Sequence, residues 1–242
     1  MADQIFEHPR LASIYDALDH DRSDLDAYLD ITREFGARQV LDLGCGTGVF
    51  ALLMAERGID VTGVDPAAGS LAVARAKHGA SKVRWIHGDA TALMGMQVDL
   101  AVMTGNAAQA IVDPRDWAAT LDRVREALRP EGRFVFETRD PARRAWEEWT
   151  GARTRSTTTI PGVGAVEHWV EVTDVSWPLV TFRGTYVFDS DGQVLTSDST
   201  LRFHDRSEVE SDLAAHGYEV QDVRDAPDRP GREFVVVARR AR

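Results

Sequence analysis

Val40-Leu41-Asp42-Leu43-Gly44-Cys45-Gly46-Thr47-Gly48 decides how this chain is read. Val40, Leu41 and Leu43 suit a strand covered on both faces, and the alternating glycines let the backbone turn sharply and approach a ligand without Cβ interference. The run that follows, Val49 to Arg57, is a good helix former with Gly58 at the position where helices stop. Strand, glycine loop and helix thus occur in the order that a nucleotide-cofactor cradle requires.

The spacing is G-x-G-x-G rather than the G-x-G-x-x-G of dinucleotide binders, and no P-loop Gly-Lys-Ser/Thr follows. A pyrophosphate wants a helix N-terminus with no carboxylate beside it, whereas Asp42 ends the strand and suits a ligand with a positive end. S-adenosylmethionine has an ammonium and a sulfonium and no phosphate. A second short apolar strand, Val61 to Asp65, ends in an acid 21 positions after Gly44, where a carboxylate can accept both ribose hydroxyls. A third, Ser81 to Ile86, leads into His87-Gly88-Asp89-Ala90, whose Asp89 can accept from an adenine amino group.

On these residues the chain resembles a class I S-adenosylmethionine-dependent methyltransferase of the branch acting on small molecules. The motif resemblance covers roughly residues 38 to 140. It implies an α/β, Rossmann-like methyltransferase fold with a mostly parallel seven-stranded sheet and helices on both faces. It implies that Asp42, Gly44, Cys45, Gly46, Thr47 and Gly48 hold the methionine part of the cofactor. Asp65 with Pro66 is expected on the ribose, and Asp89 with the backbone of Ala90 on the adenine. A fourth strand, Asp99 to Met103, leads into Thr104, Gly105, Asn106 and Gln109, which in similar proteins lie under the cofactor near the reactive methyl. The turn into the fifth strand resembles the family's, except that Glu131 replaces the usual glycine, an exchange expected to cost little.

At 242 residues and 43% hydrophobic content the chain can bury one sizeable core. The net charge of −11 lacks the basic footprint of a nucleic-acid partner. No stretch approaches ~20 apolar residues, and the start, Met1-Ala2-Asp3-Gln4, has no basic segment ahead of an apolar run. No membrane partner is expected, and the cytoplasm is the expected location. Cys45, the single cysteine, rules out an internal disulfide or zinc cluster and reads as packing in the glycine loop. No histidine spacing or acidic set suggests a metal.

Residues 1–36 read as amphipathic helices that cap the cofactor site, and residues 37–150 with 205–242 as the Rossmann-like domain. Within that domain Asp113 as N-cap with Pro114 opens one helix, and Ser207 to Glu210 spells a capping box for another. Residues 151–204 change to long alternating runs rich in Thr, Val, Phe and Trp, an antiparallel insertion with Asp191-Gly192 as a two-residue hairpin turn. Two strands, Tyr218 to Val223 and Glu233 to Val237, are expected to close the sheet as an antiparallel hairpin around a long loop holding Pro227, Pro230 and Gly231.

Methyl transfer from a sulfonium needs no acid for its leaving group, so positioning carries most of the catalysis. Candidate catalytic residues are Tyr15 and Glu137, with His168 or His204 of the insertion beside them, while Arg139 with Asp140 reads as a helix-capping pair. A roof of Trp169, Trp177, Phe182 and Tyr186 suits an apolar or aromatic acceptor, or else builds the insertion's own core or a homodimer interface. The expected activity is metal-independent methyl transfer from S-adenosylmethionine to a small molecule. The alternatives are a non-catalytic cofactor-binding or regulatory module, or an NAD-linked oxidoreductase.

Overall fold

The chain opens with three helices, α1 (Gln4–Glu7), α2 (Pro9–Leu18) and α3 (Asp24–Glu34), in the computed structural model, which describes residues 2–226 and 228–241. Their apolar stripes, such as Leu11 and Ile14 of α2 and Leu25, Tyr28 and Leu29 of α3, are buried as the helical spacing demands. Strand and helix then alternate through β1 (Gln39–Leu43), α4 (Val49–Glu56), β2 (Asp60–Asp65), α5 (Ala68–Ala76), β3 (Val83–His87), β4 (Val98–Met103), α6 (Pro114–Ala127) and β5 (Leu128–Arg139). The five strands pair in parallel, and their near-continuous aliphatic runs are what burial on both faces requires.

A short α7 (Gly151–Thr154) leads into β6 (Ser156–Ile160), β7 (Gly164–Ser176), β8 (Leu179–Phe188) and β9 (Val194–Arg202), a separate four-stranded antiparallel sheet in that order. The chain returns through α8 (Arg206–Ala215) to β10 (Tyr218–Asp225) and β11 (Glu233–Arg240), an antiparallel hairpin whose β11 pairs with β5. The main sheet therefore has seven strands in the order β10-β11-β5-β4-β1-β2-β3. One face is packed by α6 and α8 over Leu41, Phe134 and Phe136, the other by α3 and α4 over Val40, Leu100 and Val135. Each large apolar side chain buried this way contributes roughly 1.5 to 3 kcal/mol.

The reversal between β4 and β1 in this order opens the crevice at the carboxyl ends where open α/β sheets bind ligands. The antiparallel sheet lies above that end. Its inner face carries Val166, Tyr186 and Phe188, which pack on Ile5, Leu11 and Ile14 of the N-terminal helices. Farther along the same face, Val180 meets Trp146 and Phe203, and Phe182 meets Trp149 with ring centres 5.0 Å apart. The expected aromatic roof thus divides. Phe182 and Tyr186 are on the inner face, Trp169 points the other way and donates to Glu171, and Trp177 is 55% exposed at the turn between β7 and β8.

Five local expectations need correction. Residues 151–154 are helical, so the first strand of the insertion begins only at Ser156. Asp191-Gly192 is not a two-residue turn, because Phe188 and Gln193 are already hydrogen-bonded across a longer loop in which Asp191 accepts from the Gln193 backbone N–H. The capping box of Ser207 is not used: α8 starts one residue earlier at Arg206, with Asp205 at the N-cap. Glu131 has φ 64°, the left-handed region that costs an L residue roughly 1 to 2 kcal/mol. The glycine usual at that turn therefore has a conformational reason, partly offset here by the 2.7 Å ion pair between Glu131 and Arg239. β10 continues to Asp225 and shortens the expected final loop, whose Pro227 lies outside the described residues, as do Met1 and Arg242.

Candidate active site

The glycine loop lies between β1 and α4. A Cβ at Gly48 would stand 2.4 Å from the Trp85 ring, so that glycine is demanded by the protein's own packing, while a Cβ at Gly46 would meet nothing within 4 Å. Gly46 has φ 52° and faces open space. Its N–H donates to Asp65 Oδ2 at 2.7 Å, and the Ala67 N–H donates to Asp65 Oδ1 at 2.8 Å. Burial pushes the Asp65 carboxyl up, and these two backbone donors pull it back. Thr47 Oγ1 donates to Asp16 Oδ1 at 2.5 Å, and Lys77 Nζ binds both the Thr47 carbonyl at 2.8 Å and Asp16 at 2.5 Å. The N-terminal helix α2 is thereby latched onto the loop. Cys45 is buried, and burial pushes its thiol far above the usual range.

Asp42, beneath this loop, is 1% exposed, and neither of its oxygens has a hydrogen-bond partner among the described residues. Burial first and the nearby Asp65 second push its pKa up to about 7, against the pull of Arg22 and the weaker one of the Ala51 backbone N–H, which lies outside hydrogen-bond geometry. A buried carboxylate without partners is held near neutrality or compensated by a cation. The positive end of S-adenosylmethionine fits that requirement, and a phosphate does not. Pro66 is exposed, with its carbonyl 2.9 Å from His87 Nε2. Asp89 is exposed, with Oδ1 taken by the Thr91 N–H at 2.8 Å and hydroxyl at 2.6 Å, next to buried Ala90.

The loop after β4 completes the crevice. Thr104 is half-buried, Gly105 faces open space, and Asn106 adopts φ 58°. The Asn106 backbone N–H donates to Glu137 Oε1 at 2.9 Å, and its Nδ2 donates to Glu233 Oε2 at 3.0 Å. An ionised carboxylate only accepts, so Glu233 fixes which way the amide faces. That leaves the buried Asn106 Oδ1 without a partner among the described residues. Glu137 Oε2 accepts from the Tyr28 hydroxyl. Glu233 also receives Arg229 at 2.7 Å and Arg139 at 3.4 Å. Gln109 Oε1 accepts from the Arg139 backbone and guanidinium, while its Nε2 donates to the Arg202 carbonyl, tying the loop to β5 and to the end of β9.

Tyr28, Arg229 and Glu233 were not among the sequence-derived candidates. The one local signal was a charged residue, Glu233, opening an otherwise aliphatic strand. Tyr15 is half-buried, 5.4 Å from the Phe6 ring, and no hydrogen bond engages its hydroxyl among the described residues. Glu137 is met by Tyr28 rather than by Tyr15, and both its oxygens are committed. His168 pairs with Ser156 at 2.9 Å and stacks on Tyr186, its pKa lowered by burial. His204 is buried against Trp117 with Nδ1 3.4 Å from Glu208. Asp140 caps a short turn through the Ala142 N–H, while Arg139 turns inward. No group of potential metal ligands occurs among the described residues. A surface groove of about 470 Å³, lined by Phe35, Arg38, Asp99, Arg129 and Arg133, lies at the opposite, amino-terminal ends of β1, β4 and β5.

Residues 40–132 match the family model described as a methyltransferase domain. An uncharacterized methyltransferase of Mycobacterium tuberculosis is 33% identical over 181 residues, covering 66% of this chain and 70% of that protein. The chain spans less than half the length of several other curated relatives that it matches. Among solved structures, an S-adenosylmethionine-dependent methyltransferase from Clostridium acetobutylicum superposes with a TM-score of 0.76 at 17% identity, covering 96% of this chain and 98% of that one. CalS10 from Micromonospora echinaspora, an amino pentose methyltransferase solved with S-adenosylmethionine bound, gives a TM-score of 0.70 at 20% identity, with 94% and 97% coverage. Sequence, topology and the cation-seeking Asp42 agree, and the chain belongs to the class I S-adenosylmethionine-dependent methyltransferases.

Proposed function

We propose that the chain moves a methyl group from S-adenosylmethionine to a small-molecule acceptor, without a metal, at the carboxyl ends of β4 and β5. The observation that carries this reading is the buried, unpaired carboxylate of Asp42 beneath a loop whose Gly46 faces open space. Asp42 and the loop Gly44 to Gly48, with Cys45 and Thr47, hold the methionine part. Asp65 with Pro66 serves the ribose, Asp89 with Ala90 the adenine, and Thr104, Gly105, Asn106 and Gln109 support the reactive end. When bound, the cofactor supplies an electrophilic methyl on sulfonium.

The chain's own work is placement. Glu137 fixes the Asn106 backbone, and so acts on the reaction through the loop it holds rather than as a free base. Tyr15 presents a hydroxyl whose pKa burial raises, so it meets the acceptor as an intact phenol. The insertion's inner face is filled within the chain by α1, α2 and the Trp146 to Trp149 turn, which favours packing inside the chain over a homodimer interface. The acidic composition fits the absence of a nucleic-acid partner. No helix among the described residues is long and apolar enough to cross a membrane. The resemblance in fold to an amino pentose methyltransferase accords with a small acceptor.

A thermal-shift panel tests the reading. S-adenosylmethionine and S-adenosylhomocysteine should each raise the melting temperature, and NAD and NADP should not. Stabilisation by the dinucleotides alone would overturn it. Once an acceptor is in hand, turnover should survive exhaustive chelation, and its loss with recovery on adding magnesium or zinc would overturn the metal-free part.

A further inference from the structure

We propose that Asp16 and Lys77 are positioning residues for the cofactor: they clamp Thr47 so that its backbone N–H takes the carboxylate of the methionine part. This deepens the reading above and rests on it. The glycine loop spends most of its donors on the protein. The N–H groups of Gly44 and Cys45 go to the Val64 carbonyl at 2.8 and 3.2 Å, that of Gly46 to Asp65 at 2.7 Å, and that of Gly48 to the Cys45 carbonyl at 2.8 Å. The Thr47 N–H, alone in the loop, has no partner among the described residues. Thr47 is 4% exposed, and a backbone donor shut away from water calls for an acceptor. Asp42 suits the cationic end of S-adenosylmethionine and leaves the carboxylate to be met. A carboxylate only accepts, and its bond to a backbone N–H is of the strong, charge-assisted kind.

Thr47 is held from outside the loop at both of its other polar groups. Its hydroxyl donates to Asp16 Oδ1 at 2.5 Å, its carbonyl accepts from Lys77 Nζ at 2.8 Å, and Lys77 closes the ring onto Asp16 Oδ2 at 2.5 Å. Asp16 belongs to α2 and Lys77 directly follows α5, so the clamp joins residues 31 and 30 positions away from Thr47. The helix α5 is their common base. At its start the Ala68 N–H donates to Glu7 Oε2 at 2.8 Å and the Ser70 hydroxyl to the Phe6 carbonyl at 3.0 Å. A Cβ at Gly69 would stand 2.3 Å from the Glu7 carbonyl oxygen, so α1 is seated directly on the backbone there. With α1 fixed at one end of α5, α2 brings Asp16 to Lys77 at the other.

The ion pair of Asp16 and Lys77 is partly exposed, with side chains 35% and 24% accessible, a setting in which such pairs add little to stability. Its consequence is geometric. With hydroxyl and carbonyl both fixed, Thr47 has little freedom to turn, and its N–H keeps one direction before the cofactor arrives. A donor held in place beforehand needs no ordering on binding. Lys77 also cancels the Asp16 charge, which would otherwise repel a carboxylate.

The test is calorimetric titration of the full chain with S-adenosylhomocysteine and with methylthioadenosine, which keeps the adenosine and lacks the amino-acid end. Lys77→Met, and the charge-neutral combination of Asp16→Asn with Lys77→Met, should each weaken S-adenosylhomocysteine about tenfold, the scale of one charge-assisted hydrogen bond. Methylthioadenosine should bind both variants as it binds the wild type. Recovery of wild-type affinity in the charge-neutral combination would reduce the clamp to electrostatics and overturn the proposal. A loss shared equally by the two ligands would overturn it too, because that is what a merely structural role produces. Thr47→Val keeps the side-chain shape and removes only the hydroxyl, so it reads the clamp even where the helix variants fold poorly. It should also lose S-adenosylhomocysteine selectively, with Thr47→Ser close to wild type, and unchanged affinity in Thr47→Val contradicts the clamp. Failure of the methyltransferase reading would appear differently, as wild-type protein that does not bind S-adenosylhomocysteine.

Discussion

The proposed cofactor end of the crevice is built largely from backbone and the proposed acceptor end from side chains. At the first, a short loop spends its N–H groups on the protein itself, Gly44 and Cys45 on the Val64 carbonyl and Gly46 on Asp65, and leaves open space beside Gly46. At the second, Asn106 is held by Glu137 and Glu233, which are 31 and 127 residues away, and Glu137 by Tyr28, 109 residues away. Backbone cradles tolerate sequence change as long as the glycines stay. A network of long-range pairs changes shape with any one member, which is where one fold acquires different acceptors.

The contrast is broken most forcefully at Asp65, the side chain on which the backbone cradle depends. Asp65→Ala removes the proposed ribose acceptor and the brace for Gly46, with hydrogen bonds to a charged group worth about 1.5 to 3 kcal/mol each. Cofactor affinity should fall by roughly two orders of magnitude in calorimetry, and unchanged affinity would contradict the assignment. At the other end, Tyr28→Phe leaves buried Glu137 without one donor. It should destabilise the protein by about 1 to 3 kcal/mol in chemical denaturation while changing cofactor affinity little.

Asp42 sharpens the comparison through pH. Its folded-state pKa stands raised from 3.8 to about 7, so without cofactor its contribution to stability is present at low pH and lost as pH rises through about 7. Binding a cationic ligand favours the ionised form, so affinity for S-adenosylmethionine should climb between about pH 6 and 8 and then flatten. Asp42→Asn should remove the part of each profile that Asp42 contributes near pH 7, as followed by melting and by calorimetry. The smallest effect is expected at Glu131, far from either ligand. Glu131→Gly relieves a left-handed φ and loses one surface ion pair, a net gain near ~1 kcal/mol or less in unfolding free energy.

The same contrast explains what could be read from the chain. Val40 to Gly48, and Asp113 with Pro114, were legible because strand, turn and cap chemistry act between residues a few positions apart. The seven-stranded order followed once those units were recognised. Ser207 misled because the capping pattern lies inside the first turn: the helix starts at Arg206, and Asp205 holds the N-cap position without a side-chain cap hydrogen bond. The cost of Glu131 was missed because substitution tables carry no dihedral angle. Tyr28, Arg229 and Glu233 were invisible because no periodicity relates a residue in α3 to one at the start of β11.

Cys45 is the only thiol in the chain, and it sits inside the glycine loop at 8% exposure. Any reagent that alkylates the protein through sulfur must wait for that loop to open. Labelling kinetics therefore count the openings of one defined segment, with no engineered probe. Its slowing by a ligand measures how firmly that ligand keeps the loop shut.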